Sequence, residues 1–564
     1  MNLKAFLILS KLSSPCFSFQ SATSTILKHA TRCLPLAFQR SSTSSSSSVV
    51  LDPPSSYTDL VDKLRTIAQL RQASAVLDYD RMTVMPQAKD TSDLRGAQLS
   101  TLAAVIHEKS TDNSIPLLID KSLQESNNLS TDQIQLLKLT KRSFEKNYKI
   151  SAELEKRRTE LASLAYSAWV QARKDSDFPS FVLILKDCFD TAMEVAKAHR
   201  GEECNPSDDS KSTSSLYTEM LDEYEMGMSA ERIDDIFSEI ETALVPLIQK
   251  VLESKTQPKT DALRGTFPIE KQKEVNRKIV TALGFDINYG RMDESVHPFT
   301  MALGPYDVRI TSRYSNNEWY QGLAASIHEG GHAIYEQNLG KSGLEIDSFL
   351  SMGTHESQSL FWERHVGMSR EFCQWITPTL KEAFSIDGTS FYSPDEIYAA
   401  INAVSPGPIR VEADELTYPL HVILRYNIER DVIDGKLSVA DIAKAWKSQM
   451  KSMLNLDIED DAQGCLQDIH WSGLAIGYFP TYLIGSATAA QLAYYCEQDI
   501  PTFRKDIEHG DFSKIKDWLH EKVHKHGRRY SSLDALLKDQ VGEELNPNYL
   551  IEYLTKKYSQ LYQF

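Results

Sequence analysis

The chain has 564 residues, 41% hydrophobic and 25% charged, which is ordinary globular usage and excludes collagen-like, wholly disordered and small disulfide-scaffold classes. Glycine is 24 of 564, about 4% against an average near 7%, as suits a helical chain in which each interior glycine costs about 1 kcal/mol. The formal net charge of −17 repels phosphate backbones and excludes nonspecific nucleic-acid binding.

Five basic residues and no acid fall in residues 1–50, so the remainder carries −22. The same segment holds thirteen serines, with a low-complexity tract from Ser41 to Ser48. It has too little apolar surface to build a core and has the composition of an organellar transit peptide. Serine richness with only two arginines, Arg32 and Arg40, favours a plastid over a mitochondrion; a cytoplasmic protein follows if the segment is merely a disordered tail. The expected division is a transit peptide at 1–50 and one helical domain at 51–564. No apolar run reaches the 18 or so residues of a membrane helix. Seven cysteines without CxxC pairs read as reduced, mostly buried thiols of an intracellular compartment.

From Tyr57 the apolar residues Leu60, Leu64, Ile67, Leu70, Ala73 and Leu77 recur every three or four positions, the spacing of a buried helix face. Met85-Pro86 ends that element, and Ser92 to Glu108 opens another. Helical patterning continues through 130–200, with polar breaks at 202–213 and 256–266. A strand is expected at Tyr306–Ser312, where branched residues alternate after Gly304-Pro305. The fold class is mainly α, with at most a small sheet near the middle.

The chemistry concentrates in the helix expected between Trp319 and Gly340. It contains HEGGH: His328, Glu329 and His332. Positions i and i+4 share a helix face, so both imidazoles reach one metal ion, with Glu329 beside it to take a proton from water. The bland alternative is two surface histidines on an acidic helix. Gly330-Gly331 in mid-helix costs about 2 kcal/mol, easier to accept where something approaches the backbone closely. A catalytic zinc needs a third ligand and an open position. Glu336 stands about 12 Å along the helix from His328 and cannot share the ion. Glu356, 24 residues after His332 in the segment Thr354 to His365, completes a His₂Glu set. Adjacent His355 points about 100° away. Glu363 and His365 are left as partners of Arg364 or of the ligands.

HEGGH followed by HESQSLFWE resembles the carboxypeptidase Taq family of metallocarboxypeptidases. HPFT (297–300), DVRIT (307–311), IRVEADELTY (409–418), GCLQDIHW (464–471) and GYFPTY (477–482) agree in order. LDYDRMTVMP (77–86) is similar to the family's amino-terminal signature, with Tyr79 where tryptophan is expected. The resemblance covers roughly residues 57–564. It implies a single large helical domain with a deep substrate groove, of the neurolysin and angiotensin-converting-enzyme type, a homodimer, and removal of single residues from peptide carboxyl termini. It also implies His328, His332 and Glu356 as metal ligands and Glu329 as general base, the residues reached by spacing.

An exopeptidase must hold the terminal carboxylate, and a bidentate arginine is the natural clamp. Arg410 is the favoured candidate; Arg309, with Asp307 and Thr311, is the other, or else part of a buried structural network. Gln467, Asp468, His470 and Trp471 suit peptide-backbone binding, or alternatively a capped loop with a packed tryptophan. Tyr478, Tyr482 or a protonated His470 is the candidate donor to the tetrahedral oxyanion, with Tyr418 and His421 behind them. Zn²⁺ is the expected ion, with Co²⁺ or Mn²⁺ as substitutes. Two rivals remain: a peptidyl-dipeptidase or oligopeptidase on the same scaffold, and a non-catalytic helical peptide-binding protein. An intact Glu329 speaks against the second, because a structural zinc site needs no free base.

Overall fold

Apolar residues at helical spacing, closed by capping side chains, account for most of the architecture seen in the computed structural model. It describes residues 53–201, 215–385 and 391–564. The transit-like segment at 1–50 and the polar break at 202–213 lie outside the described residues.

Helices α1 (Ser55–Thr83), α2 (Lys89–Ser110), α3 (Ser114–Gln124) and α4 (Thr131–Lys149) open the fold. Ser130 and Gln133 cap α4 reciprocally, satisfying two otherwise orphaned N–H groups. This quartet has its own small core, in which Leu60, Ile67, Ile119 and Leu137 meet Leu344 and Ile346. Helices α5 (Ala152–Asp175), α6 (Phe178–Arg200), α7 (Leu216–Leu221) and α8 (Ala230–Glu253) enter the main core. On α8 the buried residues Ile233, Phe237, Ile240, Leu244, Leu247 and Val251 form one stripe, as an amphipathic helix requires. The break at 256–266 holds only a short 3₁₀ turn, Asp261–Leu263, before α9 (Ile269–Leu283).

A three-stranded sheet follows: β1 (Gly290–Glu294), β2 (Thr300–Gly304) and β3 (Asp307–Ser312). β3 is central, parallel to β1 and antiparallel to β2. The strand expected at Tyr306–Ser312 is β3, begun one residue later. β1 has a single large apolar residue, Met292, so it carries no alternation from which to read it.

The segment with the HEGGH motif forms α10 (Tyr320–Asn338), and α11 (Met352–Leu360) follows it, continuing into a π-helical turn at Phe361–Gly367. Behind them come α12 (Arg370–Phe384), α13 (Pro394–Ile401), α14 (Tyr418–Ile433) and α15 (Ile442–Leu454). The chain closes with α16 (Pro480–Asp499), α17 (Phe503–His509), α18 (Ser513–Lys522), α19 (Leu533–Gln540) and α20 (Asn548–Tyr562). α14 and α16 are buried on almost every side and form the floor against which the site is built. Among the described residues, no helix is long and apolar enough to cross a membrane, and Cys188, Cys373, Cys465 and Cys496 are buried free thiols.

Candidate active site

Glu318 starts α10 by accepting hydrogen bonds from the backbone N–H groups of Tyr320 and Gln321, at 2.6 and 3.0 Å. Two turns on, His328 and His332 stand one above the other with ring centroids 4.9 Å apart. The diglycine of HEGGH explains how a second helix reaches them. A Cβ on Gly331 would lie 2.7 Å from both Gln358 O and Ser359 Cα, and one on Gly330 would lie 2.7 Å from a Val280 methyl. α11 therefore packs directly on the backbone of α10. From the other side Gly485 of α16 lets Glu356 in, since a Cβ there would fall 2.7 Å from that of Glu356.

The result is a cluster of three donors. Glu356 Oε2 lies 3.3 Å from His332 Nε2 and 3.8 Å from His328 Nε2, and the three ligand atoms fall within 4.8 Å of one another. Both imidazoles are oriented from behind. His328 Nδ1 is 2.6 Å from Glu363 Oε2, and His332 Nδ1 is 3.0 Å from the His355 carbonyl oxygen. A carbonyl only accepts, so His332 Nδ1 carries the proton and its Nε2 lone pair faces Glu356. Burial, with His355 stacked at 4.3 Å, pushes the His332 imidazolium down to about 4, leaving the neutral ring a metal requires. Burial is the largest influence on the Glu363 carboxyl and works to raise it, but the His328 hydrogen bond together with the charges of His328 and Arg364 holds the group below its ordinary range. The π-helical turn sets Glu363 there, seven residues past Glu356. His355 turns instead to Glu336, at 3.1 Å.

Glu329 is 2% exposed. Thr300 Oγ1, on β2, lies 2.9 Å from its Oε2 and 2.8 Å from its carbonyl oxygen. The sheet thus fixes the carboxylate beside the two histidines.

All four residues open on one groove of about 740 Å³, whose walls also carry Arg410, Asp468, His470, Tyr478, Tyr482 and Tyr418. Arg410 directs Nε and Nη2 to Asp468 Oδ1, at 3.1 and 2.8 Å, and lies 4.8 Å from the Tyr482 ring. Asp468 Oδ2 accepts from Arg425 Nε at 2.6 Å. Burial raises Tyr482 to about 12 and moves Tyr478 well above its ordinary value, so both keep the proton an oxyanion donor needs.

Several expected residues stand elsewhere. Arg309 forms a bidentate pair with Asp307, at 2.9 and 2.7 Å, under the Tyr79 ring at 5.0 Å. Thr311 Oγ1 accepts from Phe299 N at 2.9 Å inside the sheet. Neither they nor Asp307 line the groove, because β3 is the central strand and its polar side chains are taken by the sheet and α1. Gln467 lies behind the wall, its Oε1 accepting from Arg410 N and Arg425 Nη2 at 2.8 and 2.7 Å. Trp471 is packed in the core, donating Nε1–H to Glu429 at 2.7 Å. His470 does line the groove, 3.1 Å from the Tyr482 hydroxyl. Burial and the adjacent Arg410 and Arg425 push its imidazolium down to about 3, which corrects the expectation of a protonated donor at neutral pH. His421 is fully buried and does not reach the groove.

Sequence reasoning passed over Thr300, Arg425 and Glu225. Glu225 is buried beneath α11 and accepts the Gly353 N–H. A signal for Arg425 was present: Tyr418, His421, Arg425 and Glu429 form one polar stripe along an otherwise apolar helix. Thr300 sat in HPFT without a stated role. Glu225 carried no local signal at all.

With this geometry in place, the likenesses to known proteins are informative. Residues 59–558 match the family described as carboxypeptidase Taq (M32) metallopeptidase. Carboxypeptidase 1 of Bacillus subtilis (strain 168) is 38% identical over 508 residues, covering 89% of this chain and 98% of that protein. The structure of an M32 carboxypeptidase from Deinococcus radiodurans R1 is similar with a TM-score of 0.85 and 33% identity, over 91% of this chain and 100% of that one. Trypanosoma cruzi metallocarboxypeptidase 1 gives a TM-score of 0.82 at 34% identity, over 89% and 99% of the two chains. The neurolysin-like helical fold, the three-donor cluster and these matches agree: the chain belongs to the M32, or carboxypeptidase Taq, family and is a metallocarboxypeptidase that removes C-terminal residues from peptides.

Proposed function

We propose that this enzyme removes one residue at a time, with His328, His332 and Glu356 holding Zn²⁺, Glu329 as general base and Arg410 as the carboxylate clamp. The carrying observation is that the three donors, within 4.8 Å of one another, share a single groove with Glu329 and Arg410. The donor set fits a catalytic ion: two neutral imidazoles oriented from behind, one carboxylate and an open groove side. Zn²⁺ is the ion such a His₂Glu set takes, and Co²⁺ or Mn²⁺ replaces it at the same ligands. A divalent ion held there polarises the scissile carbonyl and acidifies water.

The remaining steps belong to the chain. Arg410 pairs with the terminal carboxylate and sets the last peptide bond in register. Glu329, steadied by Thr300, accepts a proton from the attacking water and returns it to the leaving amine. Tyr478 and Tyr482 donate to the oxyanion; neutral His470, 3.1 Å from the Tyr482 hydroxyl, orients that donor. Asp468 holds Arg410 in place, and Gln467 Oε1 accepts the Arg410 backbone N–H behind it.

The test is mass spectrometry of an N-blocked peptide incubated with the enzyme, beside its C-terminal amide and a chelator control. A ladder of single-residue losses, absent with amide or chelator, is expected. Dipeptide steps or internal cuts would displace the clamp from Arg410.

We further propose one catalytic domain over residues 51–564, a homodimer on the strength of the family resemblance, and a plastid address in residues 1–50. The serine-rich, acid-free composition of 1–50 supports that address. Import assays with isolated plastids and mitochondria, and light scattering of the mature enzyme, test these points. A full-length chain in the cytosol overturns the address.

A further inference from the structure

A carboxylate clamp faces a charge problem. A buried arginine paired one-to-one with a buried aspartate is a neutral unit, and a neutral unit attracts an incoming carboxylate weakly. Arg410 and Asp468 are such a pair, with side chains 6% and 7% exposed. The second oxygen of Asp468 is taken by Arg425, at 2.6 Å.

Arg425 is built for support and not for contact. Its side chain is 0% exposed, and it is not in the groove wall. All three guanidinium nitrogens are engaged inside the protein: Nε on Asp468, Nη1 on His421 O at 2.6 Å, Nη2 on Gln467 Oε1 at 2.7 Å. The guanidinium lies 4.5 Å from the Trp446 ring. Its pKa, lowered to about 10 by burial, still leaves it charged at neutral pH. By contrast, Arg410 faces the groove and spends only Nε and Nη2 on Asp468; its Nη1 makes no hydrogen bond among the described residues. The imidazoles on either side, His421 and His470, are neutral because burial pushes both down to about 3. Glu429, the next carboxyl along α14, has its oxygens on Tyr217, Trp471 and Gly477 and bonds to neither arginine. Two guanidinium groups therefore share the Asp468 carboxylate, so this three-group cluster carries a net positive charge, while burial raises the nearby Glu429 carboxyl to about 7.

We propose that Arg425 is a positioning residue of the clamp: by sharing Asp468 it cancels that carboxylate's charge, so that Arg410 is both rigidly held and free to pair with the substrate carboxylate. This rests on the reading of Arg410 as the clamp.

The test measures kcat and KM for a peptide with a free carboxyl terminus and for its amide, together with calorimetric binding of a non-hydrolysable free-acid peptide. In Arg425→Met the acid peptide should bind at least about tenfold more weakly, as expected when one unit of charge is removed from a partly buried site. Its kcat should be nearly unchanged and its advantage over the amide reduced. Arg425→Lys should keep most of the affinity. The decisive variant is Arg425→Met with Asp468→Asn, which restores the net positive charge without Arg425; acid binding and the acid-over-amide preference should return to within a few-fold of wild type. The double variant strands no carboxylate, so it carries the test if Arg425→Met alone does not fold. Unchanged acid affinity in a folded Arg425→Met, or equal losses for acid and amide without rescue in the double variant, overturns the proposal. Arg410→Met is run beside them: if it leaves the acid preference intact, the clamp reading itself fails, and that failure is visible without any Arg425 variant.

Discussion

The two ends of the groove are built by opposite means. The end proposed to hold the metal comes from one continuous stretch, His328 to Glu363, folded so that α11 lies on the backbone of α10 at Gly331. Its precision comes from close packing of two short helices. The end proposed to bind the carboxylate gathers Arg410, Arg425, Asp468 and Tyr482 from four separate places in the chain. It is held by buried ion pairs and hydrogen bonds. Sterically defined sites of the first kind tolerate no added volume. Electrostatically defined sites of the second kind tolerate shape changes but not charge changes.

The sharpest separation of geometry from chemistry is Glu329→Gln. It should lower kcat by about 10²–10⁴-fold, the range of a positioned general base, while metal content measured by elemental analysis stays unchanged. Loss of the ion with the activity would mean that Glu329 holds the site together and does not act as its base. Next in size is Glu363→Gln, which removes the charge behind His328. Metal affinity by chelator competition should fall about 10–100-fold, with KM for a free-acid peptide little altered because the carboxylate end is untouched.

Gly331→Ala breaks the packing itself. Its methyl group meets backbone at 2.7 Å, where nothing flexible can yield, and should cost about 1–3 kcal/mol of stability, read by denaturant titration, together with weaker metal binding. The smallest effect expected is in pH dependence, where each end conceals a carboxyl. Burial raises Glu225, under α11, from 4.5 to about 8, and Glu429, beside Trp471, to about 7. Both are protonated in the folded chain at pH values where the unfolded chain has released the proton. Their contribution to stability is therefore full below about pH 4.5 and is lost as pH rises through 7 to 8. Glu225→Gln and Glu429→Gln should each flatten the fall of Tm between pH 5 and 8.5. A wild-type Tm that does not fall across that window would remove the effect at both ends.

Legibility in the sequence follows the same division. His328, Glu329 and His332 were readable because a helix fixes i and i+4 on one face without help from the rest of the chain. Glu356 was reachable because only one turn and one return helix separate it from them. β1 was unreadable because its five residues carry no alternation, and Glu225 because its role exists only once α11 sits above it. The placement of Arg309 was left open between groove and structural network: motif membership alone does not say which way a strand residue faces. Strand alternation puts Arg309 on the same face of β3 as Asp307, and only the packing of α1, with Tyr79 5.0 Å from the guanidinium, decides what covers that face.

What the amino-acid order determined by itself was therefore local: helix periodicity, the HEGGH spacing, the acidic body and the basic, serine-rich start. What tertiary structure alone decided was which buried polar groups share a partner. Asp468 lies 58 residues from Arg410 and 43 from Arg425. No pattern along the chain reveals that one carboxylate serves two guanidinium groups, because that arrangement is selected by the cost of leaving any of the three charges unpaired inside the core.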